Sequence, residues 1–323
     1  MSSESHPAYL AAVQQASYFQ QPDGGLIQVA GPDRVAFVQR QTTNDAQRLE
    51  LGHLQLSVLT NPAARILDVF HILPGSDELL LITLPGLGSS TAAYLKRRIF
   101  FMDKVSVTDV SASYLQIELV GPQVNKNLKR LGVQTLPTDM DAASVSIGGV
   151  ETRLLATSRA TTFGCRLLVA FDSGQTVLSA LETAGFTSLD TDTFELLRIE
   201  SGLPAANHEL SEEYTPLEAG LQKAISATKG CYTGQEVIAR QITYDKVTQQ
   251  LCGIRFSQTA TSQRLWAEGK LAGTVTSTTN SPRFGPIGLA IIKRPYNQPG
   301  IVLVAGDTFE VGQTAEVIAL PFV

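Results

Sequence analysis

Lys229-Gly230-Cys231-Tyr232-Thr233-Gly234-Gln235-Glu236-Val237-Ile238-Ala239-Arg240 puts an amine, a thiol, a phenol, a carboxylate and a guanidinium within twelve residues. Gly230 frees the backbone between Lys229 and Cys231, and Gly234 permits a sharp turn. Past Gly234, apolar Val237 and Ile238 beside polar Gln235, Glu236 and Arg240 predict a helix. The stretch therefore reads as a tight loop that delivers Cys231 close to a helix N-terminus, where unpaired N–H groups carry partial positive charge. With Lys229 two residues away, the thiol is placed to ionise more readily than a free cysteine, as nucleophile or metal ligand. The plainer alternative is a buried space-filler, because free cysteine is among the most buried residue types.

Upstream, Tyr214-Thr215-Pro216-Leu217-Glu218-Ala219-Gly220-Leu221 reads as a shaped loop, broken by Pro216 and Gly220, in which Tyr214 and Glu218 line the same cavity. Downstream of Lys246 the texture changes. Short β-like runs at 249–256, 271–277, 287–292, 301–304 and 314–319 are separated by Gly, Ser, Pro and Asn, as in a small barrel or sandwich. This divides the chain into a main region, 1–245, and a β domain, 246–323. Cys252 reads as core of that domain, and Trp266, the only tryptophan, as a packing anchor.

The main region alternates strands and helices over short connections. A helix is expected at 8–19 and a strand at 26–29. Gly31-Pro32-Asp33 opens a helix that runs toward Gln41-Thr42-Thr43-Asn44-Asp45. Strands are expected at 53–58, 65–72 and 78–84, then a helix over 89–100 and a strand at 105–110. Strands at 114–120, 152–157 and 165–171, the last two around a Gly164 turn, precede a helix at 174–184. Asp192-Thr193-Phe194-Glu195 has capping-box spacing and starts a further helix that ends at Glu200-Ser201-Gly202. Strand sets followed by helices give an α+β class with antiparallel sheets. Two acids stand out. Asp68 sits inside an apolar strand, where it costs free energy unless paired, although the solvent face of a half-exposed strand accounts for it equally. Glu200 sits at a helix C-terminus, the wrong sign for the dipole; it is either held there for binding or a surface acid on a fraying turn.

The chain has 323 residues and a net charge of −5, with 43% hydrophobic and 17% charged residues. That suits two or three globular domains and excludes a disordered chain or a broadly basic nucleic-acid binder. Between residues 229 and 255, Lys229, Arg240, Lys246 and Arg255 against Glu236 and Asp245 give a local plus two, which marks either an anionic partner or an ordinary solvated face. Three cysteines without a CxxC pair argue against a disulfide framework or a self-contained metal site, and suit a reducing cytoplasm. The N-terminus lacks a secretory pattern. No stretch approaches the ~20 apolar residues of a membrane span, so no membrane partner is expected.

KGCYTGQEVIAR resembles the signature of the YgfZ family, folate-binding relatives of the aminomethyltransferase (T-protein) of the glycine cleavage system. GPDRVAFVQRQTTND resembles the opening of both groups, LLRIESG the helix end that supplies a pterin-binding Glu, and Gly273-Thr274-Val275-Thr276-Ser277 the C-terminal barrel. The resemblance covers residues 25–323. It implies two intertwined αβ subdomains with antiparallel sheets and a small C-terminal β-barrel, arranged around a central cleft that binds tetrahydrofolate. It implies Glu200 on the pterin, Tyr214, Glu218 and Arg240 lining the cofactor site, Cys231 with Lys229 as the reactive pair, and no resident metal. YgfZ-type proteins support iron–sulfur enzymes and their assembly proteins, with an indirect link to tRNA through its modification. The T-protein alternative is a tetrahydrofolate-dependent aminomethyltransferase or demethylase, with Asp68 positioning the transferred group. T-proteins carry two adjacent acids there, whereas here Val69 follows Asp68. A third reading is a scaffold without chemistry.

Overall fold

The computed structural model describes residues 7–157, 163–260 and 262–322. Helix α1 (Pro7–Gln14) leads into β1 (Ser17–Gln20), β2 (Leu26–Ala30), α2 (Arg34–Gln41), β3 (Gln55–Thr60), β4 (Ile66–Pro74), β5 (Glu78–Ile82), α3 (Gly88–Lys96) and β6 (Ser106–Asp109). Next come β7 (Tyr114–Val120), α4 (Val124–Arg130), β8 (Ala142–Ile147), β9 (Val150–Ala156), β10 (Phe163–Ala170), α5 (Gly174–Thr183), β11 (Thr187–Ser188) and α6 (Thr191–Glu200). After a long loop and α7 (Gln235–Thr243) the chain is β alone: β12 (Gln249–Phe256), β13 (Arg264–Ala267), β14 (Lys270–Ser281), β15 (Gly285–Lys293), β16 (Val302–Ala305) and β17 (Gln313–Ile318).

The strands form a sheet ordered β3-β4-β5-β2-β6, a second ordered β11-β1-β7-β10-β9-β8, and a closed barrel, β12-β15-β14-β13-β16-β17. The fold is α+β, with antiparallel pairing except for β1 with β11. β1 explains the intertwining. The chain begins inside the six-stranded sheet, leaves to build the five-stranded one, then returns to complete the first. Apolar residues on the outer face of each sheet meet helices: Leu119 and Leu167 with Val177 and Leu181 of α5, Phe70 and Leu81 with Phe37 of α2 and Leu95 of α3. The inner faces meet each other through Leu26, Leu73, Leu80 and Ile82 against Leu155 and Leu168. Ile199 of α6 packs with Ile287, Leu289 and Phe322, which seats the barrel on the main body.

Local departures from the sequence reading have tertiary causes. The helix expected over 8–19 stops at Gln14, because Tyr18 enters the core behind the six-stranded sheet while Phe19 turns to the other face and stacks on Phe194, centroids 4.0 Å apart. Such alternation needs a strand. The α6 cap is Asp190, which accepts from Thr193 N at 2.7 Å, two residues ahead of the expected Asp192. Gly164 lies within β10 rather than at a turn, and residues 158–162 fall outside the described residues. β8 and β13 were not foreseen: the first is rich in Ser, and the second is a short run whose Trp266 donates to Gly306 O at 2.8 Å.

Asp68 is neither on a solvent face nor open to a cavity. It is fully buried on β4, its Oδ1 accepting from Val69 N (2.7 Å) and Leu84 N (3.2 Å) and its Oδ2 from Thr91 Oγ1 (2.6 Å). It ties α3 to the sheet. Burial pushes its carboxyl up to about 7, against the opposing pull of Thr91, Leu84 and Val69. A carboxyl raised by folding contributes stability that is complete below its unfolded value of 3.8 and is lost as pH rises through about 7. Asp68→Asn removes that dependence while keeping the shape. The urea stability of the wild type should therefore fall relative to Asp68→Asn by up to about 1.4 kcal/mol per pH unit across that window; parallel pH profiles would contradict this account.

Candidate functional site

The KGC loop is held at the open edge of the five-stranded sheet. Gly234 has φ +84, and a Cβ there would stand 2.8 Å from Asn61 O and 3.0 Å from Ala64 Cα, so glycine is required. Thr60 Oγ1 donates to Thr233 O at 2.6 Å. Lys229 is buried, and its Nζ donates to Gln39 O (2.7 Å), Thr42 O (2.6 Å) and Asn44 O (2.7 Å). These carbonyls belong to the end of α2 and the turn after it, where a helix leaves acceptors unpaired and a cation is favoured. An ammonium has three donors, and all are used. Burial pushes Lys229 down to about 8, opposed by the nearby Asp45 charge. The charge expected to acidify Cys231 is thus spent on the backbone of a distant segment. Thr43 Oγ1 donates to Ala224 O (2.6 Å), Ser226 N to Thr43 O (3.0 Å) and Asn44 Nδ2 to Lys223 O (3.3 Å). The QTTND turn and the KGC loop, far apart in sequence, form one unit. Cys231 is exposed on it.

The other candidate residues divide among separate contacts. Arg240 lies on the solvent side of α7, 4.0 Å from Glu236. Glu218 is buried and its Oε2 accepts from Thr215 N at 2.8 Å, with Arg65 Nη1 at 3.4 Å, so it closes its own turn. Tyr214 is buried, its phenol pushed up to about 12 by burial and then by Glu213, and its carbonyl accepts from Ile66 N at 3.1 Å. Glu200 is buried at the end of α6. Its Oε1 accepts from Tyr9 Oη (2.9 Å) and Ser281 Oγ, and its Oε2 takes a longer bond from Tyr9 (3.2 Å). Burial raises the Glu200 carboxyl, while Ser281, Tyr9 and the Arg283 charge pull it back. This acid joins α1, α6 and the barrel.

Between the two sheets lies a feature that sequence reasoning missed. Phe19, Glu118, Arg166 and Leu155 are cross-strand neighbours in one row on the inner face of the six-stranded sheet. The ends of the row are covered, Phe19 by α6 and Leu155 by the other sheet. Its middle is charged: Arg166 pairs with Glu118 and donates to Gln116 Oε1 at 3.3 Å. His71 on β4 shares a strand face with Leu73 and so looks toward this row. Burial and then the Arg166 charge hold its imidazole down to about 3, yet it stays partly accessible. Glu118 was hidden in Tyr-Leu-Gln-Ile-Glu-Leu-Val, where alternating polar residues look like a solvent face; the signal was that the opposite sheet carries His71 amid leucines. Gln116 also donates to Gly25 O at 3.0 Å and lines a pocket of about 650 Å³ with Gly24, Gly88, Ser111, Tyr114 and Phe171, which neither Glu200 nor Cys231 reaches. Among the described residues no cluster of His, Cys, Asp or Glu is arranged to hold a metal ion.

Replacing Lys229 separates its two candidate roles. Lys229→Met leaves three carbonyls without their donor and should cost about 1–3 kcal/mol or more in urea unfolding. The pH dependence of Cys231 alkylation should stay where it was. A large shift of that profile with unchanged stability would show that the amine serves the thiol instead.

Residues 6–229 match the family model described as the GCVT N-terminal domain. A putative chloroplastic transferase of Arabidopsis thaliana is 32% identical over 287 residues, which span 88% of this chain and 66% of that protein. An aminomethyltransferase of Listeria welshimeri is 28% identical over 297 residues, 87% of this chain and 80% of the relative. The crystal structure of glycine cleavage system aminomethyltransferase T from Bartonella henselae matches with a TM-score of 0.86 at 20% identity, covering 98% of this chain and 88% of that one, a likeness of fold. With the sheets, the barrel and the larger part of its sequence accounted for in this way, the chain belongs to the GcvT-like aminomethyltransferase family.

Proposed function

We propose that the chain binds a reduced folate, tetrahydrofolate or a one-carbon derivative of it, in the cleft between the two sheets and the barrel seat, and takes part in folate-linked aminomethyl or related one-carbon transfer. The observation that carries this reading is the charged middle of an otherwise apolar row: Glu118 and Arg166 lie between covered ends, and His71 of the other sheet looks toward them. The residues fit such a ligand. A pterin edge offers parallel N–H donors, and Glu200 Oε2 keeps acceptor capacity, because an ionised carboxylate has about four lone-pair sites and this oxygen takes a single long bond. Arg166 is a cation for the anionic glutamyl tail. When bound, a reduced folate supplies the nitrogen that carries the one-carbon unit. The protein's part is to orient the ring and exclude water from it. Asp68 is sealed beneath α3 and has no part in this reading; the names of the relatives, transferase and aminomethyltransferase, support it.

Calorimetric titration with 5-formyltetrahydrofolate tests it. The wild type should bind, and Glu200→Gln and Arg166→Gln should each weaken binding about tenfold or more, the worth of a hydrogen bond to a charged group. Absence of binding, or equal affinity in both variants, would refute it.

A second, YgfZ-like reading rests on one specific observation, the exposed Cys231 on a loop braced at Lys229, Thr60 and Gly234. A thiol held outward on a fixed loop suits transient work on a partner, such as an iron–sulfur enzyme or its assembly protein, with tRNA reached indirectly through an iron–sulfur modifying enzyme. In a strain lacking this protein, Cys231→Ala should leave folate binding intact and fail to restore iron–sulfur enzyme activity; full restoration would remove the thiol from the function.

A further inference from the structure

The turn after α3 places three consecutive apolar side chains at the surface: Phe100, Phe101 and Met102 are 65%, 98% and 72% exposed. The turn is built rigidly. Asp103 N donates to Phe100 O at 2.9 Å and Phe100 N to Asp103 Oδ2 at 3.0 Å. Arg40 Nη2 reaches both oxygens of Asp103, at 2.9 and 2.8 Å, and its guanidinium lies 5.8 Å from the Phe100 ring centroid. The nearby acids are therefore engaged, Asp103 by Arg40, Asp33 by Lys104 N (2.8 Å) and Asp109 by Ser89 and Ser111. The cations face outward, with the Lys96 charge also acting on Asp109. Lys96, Arg97 and Lys104 are exposed, and only Arg98 is drawn in, against Tyr94. From Lys96 to Lys104 the count is four positive minus one negative, a net of plus three in a chain of net −5.

We infer that this turn is a peripheral membrane contact: Phe101 enters the interfacial zone of an anionic bilayer while Lys96, Arg97 and Lys104 meet its headgroups. Aromatic side chains at headgroup depth with a basic collar are the chemistry of interfacial binding. The shape favours a lipid surface over a protein. A stable protein interface buries about 1,200–2,000 Å² with good complementarity, more than one convex turn offers, whereas a bilayer demands no matching surface. No described helix is long and apolar enough to cross a membrane, so the contact is one of attachment. The expectation of no membrane partner rests on the lack of a spanning stretch, which attachment by a three-residue wedge does not need. The same end of α2 carries Arg40 against this turn and Gln39 O against Lys229, so the wedge and the KGC loop are fixed to one helix.

Co-sedimentation of the full chain with vesicles tests the inference, comparing mixed phosphatidylglycerol–phosphatidylcholine with phosphatidylcholine alone. The chain should partition onto the anionic vesicles, less so as salt rises. Phe101→Ser and the double change Lys96→Glu with Arg97→Glu should each reduce that partition about tenfold, with Phe101→Ser leaving thermal unfolding unchanged. No partition onto anionic vesicles, partition unaffected by Phe101→Ser, or Phe101-dependent self-association in place of vesicle binding would overturn it.

Discussion

A charge taken out of water must be met on every side, and this requirement closes the seams of the molecule. Lys229 satisfies it with three carbonyls and locks the KGC loop to α2. Glu209, fully buried, satisfies it with Arg198, Ala205 N, Thr276 and Ser277, and locks the loop after α6 to barrel strand β14. Glu200 does the same for α1, α6 and the barrel, and Glu118 with Arg166 for the inner face of the six-stranded sheet. Apolar packing would tolerate small slips between these units. A buried ion with its full set of partners does not, because losing one leaves a desolvated charge.

Seen this way, the candidate site has two parts. Glu118, Arg166 and His71 lie between the sheets, bounded by leucines, and Glu200 lies where α6 meets the barrel. The KGC loop stands at the edge of the five-stranded sheet, its cysteine exposed and its lysine turned inward. The first part suits holding a flat, polar-edged ligand. The second suits presenting a thiol to another molecule.

Much of the fold was legible because its signals are local. The 2-residue alternation in β3, the Gly-bounded start of α7 and the texture change after Lys246 each follow from nearby residues. What was not legible depends on partners distant in sequence. Tyr18 and Phe19 look helical until two opposed cores claim them. Asp68 looks like a half-exposed acid until Thr91 and Leu84 surround it. Lys229 was read against its neighbour two residues away, yet its partners lie about 185 residues upstream. Glu118 was invisible because a buried polar row on an inner face has the same spacing as a wet outer one. Glu200 is the converse case: its odd place at a helix end was readable, and the reason for it, a triple junction with Tyr9 and Ser281, was not.

The central claim is that the hollow between the sheets, and no other, receives a reduced folate. A crystal structure of the chain grown with 5-formyltetrahydrofolate tests it most directly. The account predicts a pterin ring with its N–H edge on Glu200 and the remainder of the ligand passing Arg166. A ring seated elsewhere, with the Tyr9–Glu200–Ser281 contacts undisturbed and the cleft unvisited, would contradict it.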